Sequence, residues 1–338
     1  MRRSVVVLSG VLLLLALAAS ATAAPPLKLV GKDNMPASVT GPKFDHLTVD
    51  VPGNRLFIAA QSAHQVLVFN LQTGKMLHAI TGIKIPHAVF ATDKPNRIFV
   101  TDGGAGGVRV YDGNSYEQLK FIQLKLDSDS YGYDPKTHEL YVVNGGGDAN
   151  ESFSMLSVIN TETEAKVADI KLDGDTLEQM VIVPDSPLLY ETDRALSRID
   201  IINRDSRTLI GTWPIKLCKT AVSIALDQPA HRLFAACRSG AISVLDTKTG
   251  EELKSLPIHS DVDELVFDAA HKRLYAATAP GYIDVYQIDG PDSYTSLGSI
   301  HPGLGSKNAV LAPSLDRLYT GVLPQNGDTG AIYVYQVQ

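Results

Sequence analysis

Apolar and polar positions alternate along the chain in a pattern that recurs seven times. Each copy has an anchor residue followed by Leu or Ile, an aromatic residue and further small or apolar residues. The anchors are Arg55, Arg97, Glu139, Leu188, Arg232, Arg273 and Arg317. Alternation predicts half-buried β-strands, and the spacing of 41 to 49 residues between anchors predicts a repeat protein of seven units.

A second strand pattern follows each anchor strand after a polar or glycine-containing loop. Its copies lie at residues 66–70, 108–112, 156–160, 199–203, 242–246, 283–286 and 332–335. A turn such as residues 72–75 then leads to another hairpin partner at residues 76–80. Four short antiparallel strands in a unit of this length are typical of a propeller blade. We therefore predict an all-β, seven-bladed β-propeller of four-stranded antiparallel blades.

The seventh unit lacks an outermost strand, because the sequence ends with its third strand at residues 332–336. A spare strand pattern lies at the other end of the chain, at residues 27–30. An unpaired sheet edge promotes aggregation, and pairing of these two segments would remove it. We expect the N-terminal strand to complete the seventh blade and close the ring.

Three anchor strands also resemble a known repeat. They are Leu-Phe-Ile-Ala at residues 56–59, Ile-Phe-Val-Thr at residues 98–101 and Leu-Tyr-Val-Val at residues 140–143, and they are similar to the YVTN-type strand of the YncE-like family. The resemblance covers essentially the whole chain after residue 23. It implies a seven-bladed propeller that is usually exported and commonly has no assigned activity.

The first 23 residues have the pattern of a secretory signal. A basic head of Arg2 and Arg3 precedes a largely apolar run at residues 5–18, and small residues around Ala21-Thr22-Ala23 follow. The alternative is an uncleaved membrane anchor. We predict a signal peptide at residues 1–23 and a single propeller domain at residues 24–338. The protein is then periplasmic or secreted, with no membrane span after cleavage.

The charge balance narrows the classes of partner. The chain has 30 Lys and Arg against 37 Asp and Glu, a net charge of −7, and cleavage after residue 23 would make it −9. This excess of acid argues against nucleic acid as a partner. We expect a monomer that binds another protein or a small molecule.

Cys218 and Cys237 are the only cysteines, and an exported protein could join them. The turn at residues 227–231 predicts a hairpin in which Cys237 lies opposite Val222. Cys218 is then four residues beyond the partner of Cys237, too far for a direct cross-strand bridge unless the preceding loop folds back. The sequence leaves this disulfide open.

The loops that lead into the first strands of the blades should meet at one mouth of the central channel. Counting nine and ten residues back from each anchor gives Asp45, His46, His87, Ala88, Asp129, Ser130, Glu178, Gln179, Val222, Ser223, Asp263, Glu264, Lys307 and Asn308. The loops between second and third strands lie on the same face and add Arg238. From these we select as ligand-binding candidates His46, His87, Asp129, Glu178, Arg238, Asp263, Glu264 and Lys307.

Converging carboxylates and imidazoles suit a divalent cation, which is the one cofactor the sequence suggests. The candidate ligands are His46, Asp129, Glu178 and Asp263; the alternative is that these acids cap turns and bind channel water. The leading functional hypothesis is an exported, non-catalytic binding or scaffold protein that uses this acidic face. The alternative is a metal-dependent, lactonase-like hydrolase or lyase.

Overall fold

Seven four-stranded antiparallel sheets make up the protein, as seen in a computed structural model that describes residues 25–41, 43–325 and 327–338. The predicted all-β, seven-bladed propeller is therefore confirmed. The predicted signal peptide lies outside the described residues. Within them, no helix has the length and apolar character needed to cross a membrane.

The strands follow one another around the ring with short connections. In chain order they are β1 (Leu27–Asn34), β2 (Leu47–Asp50), β3 (Arg55–Ala60), β4 (Gln65–Asn70), β5 (Met76–Ile80), β6 (Pro86–Asp93), β7 (Asn96–Asp102), β8 (Gly107–Asp112), β9 (Gln118–Gln123), β10 (Tyr131–Asp134), β11 (Glu139–Gly145), β12 (Ser154–Asn160), β13 (Ala165–Leu172), β14 (Leu177–Ile182), β15 (Leu188–Asp193), β16 (Arg198–Asn203), β17 (Thr208–Pro214), β18 (Ala221–Asp227), β19 (Arg232–Cys237), β20 (Ala241–Asp246), β21 (Glu252–Pro257), β22 (Val262–Asp268), β23 (Arg273–Thr278), β24 (Ile283–Gly290), β25 (Ser293–Ile300), β26 (Ala309–Ala312), β27 (Arg317–Val322) and β28 (Ala331–Val337). Blades 1 to 6 are formed by β2–β5, β6–β9, β10–β13, β14–β17, β18–β21 and β22–β25, and blade 7 by β26, β27, β28 and β1.

The ring is closed by the N-terminal strand, as predicted. Strand β1 pairs antiparallel with β28, from Leu27 opposite Val337 to Asn34 opposite Ala331. It is longer than the predicted segment of residues 27–30 and continues past an irregularity between Leu29 and Gly31. Leu27 is buried in the core that also contains Val337, so closure combines a strand ladder with apolar packing.

The apolar core lies between neighbouring blades. The aromatic residue of each anchor strand is almost fully buried; Phe57, for example, packs with Val89 and Val100 of the next blade. The anchor arginine of the same strand also joins two blades, because Arg55 donates to Asp50 of its own blade and to the carbonyl of Gly113 in blade 2. The repeated sequence pattern is thus the pattern of inter-blade packing.

A disulfide joins Cys218 to Cys237, with the two Cα atoms 5.9 Å apart. The expected register at this point is wrong by one residue. Cys237 lies opposite Ala221 because the ladder is irregular between Ala221 and Ser223, and the loop before β18 brings Cys218 back to its partner. A disulfide is compatible with an extracytoplasmic location.

Blade 4 buries three acidic side chains close together. Glu191, Asp193 and Asp200 have no exposed surface. Arg198 pairs with Asp200 at 2.6 Å and with Asp193 at 3.3 Å, but neither Glu191 oxygen has a hydrogen-bond partner among the described residues. Burial, followed by the charge of Asp200, raises the pKa of Glu191 well above its ordinary value. Burial therefore favours the neutral form of Glu191.

Candidate functional site

The residues that lead into the innermost strands form two stacked rings in the central channel. The upper ring, ten residues before each anchor, comprises Asp45, His87, Asp129, Glu178, Val222, Asp263 and Lys307, and all seven line a cavity of about 240 Å³ at the channel mouth. The lower ring, nine residues before each anchor, comprises His46, Ala88, Ser130, Gln179, Ser223, Glu264 and Asn308. The first four and Glu264 line a second cavity, whereas Ser223 and Asn308 are fully buried. An extended strand advances about 3.3 Å per residue, which separates the rings.

Loops between second and third strands add further side chains to the mouth cavity. Gln61, Arg194 and Arg238 each lie six residues after an anchor, and all three line the cavity. The sequence selection found Arg238 but missed Gln61 and Arg194. The same count from the anchors that located the two rings would have identified them.

Histidines and carboxylates from blades 1 to 3 form one side of the cavity, which we call the histidine wall (Asp45, His46, His87 and Asp129). His87 Nδ1 lies 2.8 Å from an Asp45 oxygen and 3.5 Å from an Asp129 oxygen. His46 Nε2 lies 3.8 Å from Asp45 and 3.9 Å from Asp129. One potential ligand atom each from Asp45, His87 and Asp129 lie within 4.8 Å of one another. This spacing allows one ion to contact all three.

The carboxylates of the histidine wall change the pKa values of its imidazoles. Burial lowers the pKa of His46, but the hydrogen bond to Glu264 and the charges of Asp45 and Asp129 outweigh burial and raise it to about 10. Burial likewise lowers the pKa of His87, and the charge of Asp129 with the hydrogen bond to Asp45 raises it to about 9. In the absence of a bound metal ion, the imidazoles of His46 and His87 therefore each carry an extra proton near pH 7.

A chain of hydrogen bonds crosses the channel beneath the mouth, and we call it the belt (Ser223, Gln179, Glu264 and His46). Ser223 Oγ donates to Gln179 Oε1 at 2.5 Å, and Gln179 Nε2 donates to Glu264 Oε1 at 3.0 Å. Glu264 Oε2 lies 3.0 Å from His46 Nδ1. The belt joins blades 4, 5, 6 and 1. Its members His46, Gln179 and Glu264 also line a second, more apolar cavity of about 500 Å³ in the channel.

The opposite side of the mouth cavity is the basic wall (Arg194, Arg238 and Lys307). Arg238 Nη2 donates to Asp263 Oδ1 at 2.8 Å, and Lys307 Nζ binds the other oxygen of Asp263. Burial alone would raise the pKa of Asp263, but Lys307 and then Arg238 lower it to about 2. Asp263 is therefore a permanent anion that serves two cations.

Two further acids at the mouth hold protons more tightly than usual. Burial raises the pKa of Glu178 to about 8, and the charge of Asp129 adds to burial while Arg194 opposes it. Burial, with the charge of Asp129, raises the pKa of Asp127 to about 6. Acids whose pKa values lie near neutrality are candidates for proton transfer.

The four residues selected from the sequence as metal ligands lie on two different sides of the mouth cavity. His46 and Asp129 share the histidine wall, where Asp45 and His87 join them. Glu178 and Asp263 instead pair with Arg194, Arg238 and Lys307. Among the remaining candidates, Glu264 lies in the lower ring and contacts His46. A cation therefore finds its closest-spaced ligands on the histidine wall.

Solved structures share the architecture of this chain at low sequence identity. Hydrazine synthase of Kuenenia stuttgartiensis matches with a TM-score of 0.75 and 18% identity over 88% of this chain and 97% of that chain. U3-55K matches with a TM-score of 0.70 and 12% identity over 87% and 95%. No family model and no curated protein matches the sequence. The structural likeness establishes the fold alone, and membership of the YncE-like family stays a prediction.

Proposed function

We propose that this protein is an exported, non-catalytic binding propeller whose channel mouth holds a divalent transition-metal ion. The observation that carries the proposal is the spacing of Asp45, His87 and Asp129, whose ligand atoms lie within 4.8 Å of one another. Mixed imidazole and carboxylate ligands suit ions such as Mn²⁺ or Zn²⁺, whereas Ca²⁺ and Mg²⁺ prefer oxygen ligands alone.

The arrangement around His46 supports a fourth ligand. Its Nδ1 lies 3.0 Å from Glu264, and this contact directs Nε2 toward Asp45 and Asp129 at 3.8 and 3.9 Å. A carboxylate that accepts the second ring N–H of a metal-binding histidine is a recurring feature of metal sites, because it fixes the tautomer and the ring orientation. Here Glu264 is the carboxylate that contacts the second nitrogen of His46, and its hydrogen bond with Gln179 of the belt orients it.

The proposed location is the periplasm or the exterior of the cell. The apolar segment near the N-terminus suggests export, and the disulfide between Cys218 and Cys237 suits an oxidising compartment. The partner there is a small ligand or another protein that meets the mouth face.

Metal titration of the purified, chelator-treated protein tests the proposal. We expect Mn²⁺ or Zn²⁺ to bind with one ion per chain and to raise the melting temperature. Asp129→Asn and His87→Gln should each weaken binding at least tenfold. Asp185→Asn and His138→Gln make the same substitutions at exposed positions and are the matched controls. Both control variants should bind the metal as tightly as the unmodified protein does. Absence of binding, or equal binding by all four variants, contradicts the metal site.

A second function is favoured by Glu178, whose pKa of about 8 suits a general base or acid facing the histidine wall. This second function is the metal-dependent hydrolysis of lactone-like esters, or the related lyase reaction. Metal-loaded protein would hydrolyse a panel of γ- and δ-lactones, and Glu178→Gln would lower the rate at least a hundredfold while retaining the metal. No turnover by metal-loaded protein supports the non-catalytic function.

A further inference from the structure

The basic wall faces the histidine wall across one cavity of about 240 Å³. We propose that the basic wall binds the carboxylate of a small ligand, such as a hydroxy acid, whose remaining oxygen donor contacts the metal. This inference rests on the proposed metal site. It adds the chemical class of the ligand, a small anion that bridges the two walls.

The basic wall carries more positive charge than its own carboxylates neutralise. Arg238 and Lys307 share Asp263, so one ionised carboxylate serves two cations. Arg194 contacts Glu178, so the three cations of the wall have only two carboxylates within hydrogen-bond distance among the described residues. A carboxylate entering the cavity would be attracted to the unmatched positive charge.

The guanidinium of Arg238 has a donor that is not satisfied. Its Nη2 bonds to Asp263 at 2.8 Å, but its buried Nε has no hydrogen-bond partner among the described residues. The nearest carboxylate to Nε is that of Asp261 at 3.9 Å, beyond hydrogen-bond length. A planar guanidinium can bind a carboxylate through two parallel N–H groups, and an unpaired buried donor is costly. A small rotation of the Arg238 side chain toward the cavity would let a ligand carboxylate supply the missing acceptor.

The two walls are close enough for one ligand to reach both. Asp45, His87 and Asp129 of the histidine wall line the same cavity as Arg194, Arg238 and Lys307 of the basic wall. A cavity of this volume suits a small molecule, and the two walls together suit a compact acid with a second oxygen donor.

Lactate tests the inference, because it has a carboxylate and an adjacent hydroxyl, and lactamide is its uncharged counterpart. The readout is the ratio of the Mn²⁺ dissociation constants without and with lactate, measured by calorimetry on the same variant. A bridging ligand must couple the two walls, so lactate should tighten Mn²⁺ binding at least fivefold. Lactamide should leave the ratio near one.

Variants assign the effect to the basic wall. Arg238→Gln and Arg194→Gln should each reduce the lactate ratio to near one, whereas Arg207→Gln, at an exposed pair with Glu139, should retain it. If Arg238→Gln does not fold, Arg194→Gln decides the comparison. A ratio near one in the unmodified protein, or an unchanged ratio in both wall variants, overturns the inference while the metal site stands.

Failure of the metal site would be seen separately, as absence of Mn²⁺ binding in any condition. In that case, melting temperatures measured with lactate and without Mn²⁺ test whether the basic wall binds anions. A rise in the melting temperature of the unmodified protein but not of Arg238→Gln supports anion binding by the wall. No rise in either protein overturns it.

Discussion

His46 Nδ1 and Glu264 Oε2 lie 3.0 Å apart although the two residues are 218 positions apart in the sequence. His46 belongs to blade 1 and Glu264 to blade 6, so the contact passes over blade 7 and crosses the channel. Most contacts between blades in this propeller join neighbours, whereas this one joins two blades that are not adjacent in the ring. It also sets which nitrogen of His46 faces the mouth.

Glu264→Gln tests whether this contact positions a metal ligand. The amide removes the negative charge that favours the Nδ1–H tautomer of His46, so we expect metal affinity to fall by about 10- to 100-fold. Titration calorimetry with Mn²⁺ measures the change. Exposed Glu162→Gln is the matched control. A variant that melts at a lower temperature but binds Mn²⁺ unchanged would show that Glu264 is only structural.

Glu191 should make the stability of the protein depend on pH. Its pKa is raised in the folded protein above the ordinary value of 4.5, so its contribution to stability is complete below pH 4.5 and is lost as pH rises through the folded-state pKa. Glu191→Gln keeps the shape of the neutral acid without titrating. The free energy of unfolding of this variant, relative to the unmodified protein, should therefore increase from pH 5 to pH 8.

Urea unfolding at pH 5, 6.5 and 8 measures this difference. Exposed Glu117→Gln is the control, and its free energy of unfolding should follow that of the unmodified protein at every pH. Parallel behaviour of the Glu191 variant would mean that Glu191 is ionised or solvated in the folded protein.

The disulfide should contribute substantially to stability. Cys218 and Cys237 are 19 residues apart, and closing a loop of this length stabilises a protein by about 3 kcal/mol. Replacing both cysteines by alanine should lower the free energy of unfolding in urea by about this amount. Adding a reductant should destabilise the unmodified protein and leave the double variant unchanged. Equal sensitivity of both proteins would contradict the bond.

Ring closure depends on the buried side of strand β1. Leu27 is 3% exposed and Leu29 is 50% exposed on the same strand, so they form a matched pair. Leu27→Ala should cost about 2 to 4 kcal/mol of stability and Leu29→Ala under about 0.5 kcal/mol. Thermal and urea unfolding of the two variants measures the difference. Equal, small effects would show that β1 does not complete blade 7.

The fold and the residues that line the channel follow from the spacing of the anchors, because each blade repeats the same strand register. The count of ten and nine residues before an anchor placed Asp45 and His46 at the channel mouth, but it did not separate them into two rings. What the count lacks is the direction and reach of each side chain. The pairing of His46 with Glu264 depends on two long side chains meeting across the channel axis.

Local irregularities in the strand pairing could not be predicted from the repeat pattern either. Cys237 pairs with Ala221 rather than Val222 because β18 has an extra residue in its ladder with β19. A bulge shifts one register without changing the alternation of apolar residues that reveals a strand. The grouping of Asp129 with His87, rather than with Glu178, likewise depends on the ion pair of Glu178 with Arg194, which comes from a loop outside the anchor strands.

The pairing of β1 with β28 has a consequence for the order in which the protein can assemble. Asn34 and its partner Ala331 are 297 residues apart, so during synthesis the first strand is made long before the strand that it joins. Six blades can form from local segments, but the seventh has to wait for residues near the end of the sequence. A polypeptide interrupted anywhere before residue 331 would keep an unpaired N-terminal strand, and this would distinguish incomplete molecules from finished ones for a protease or a chaperone.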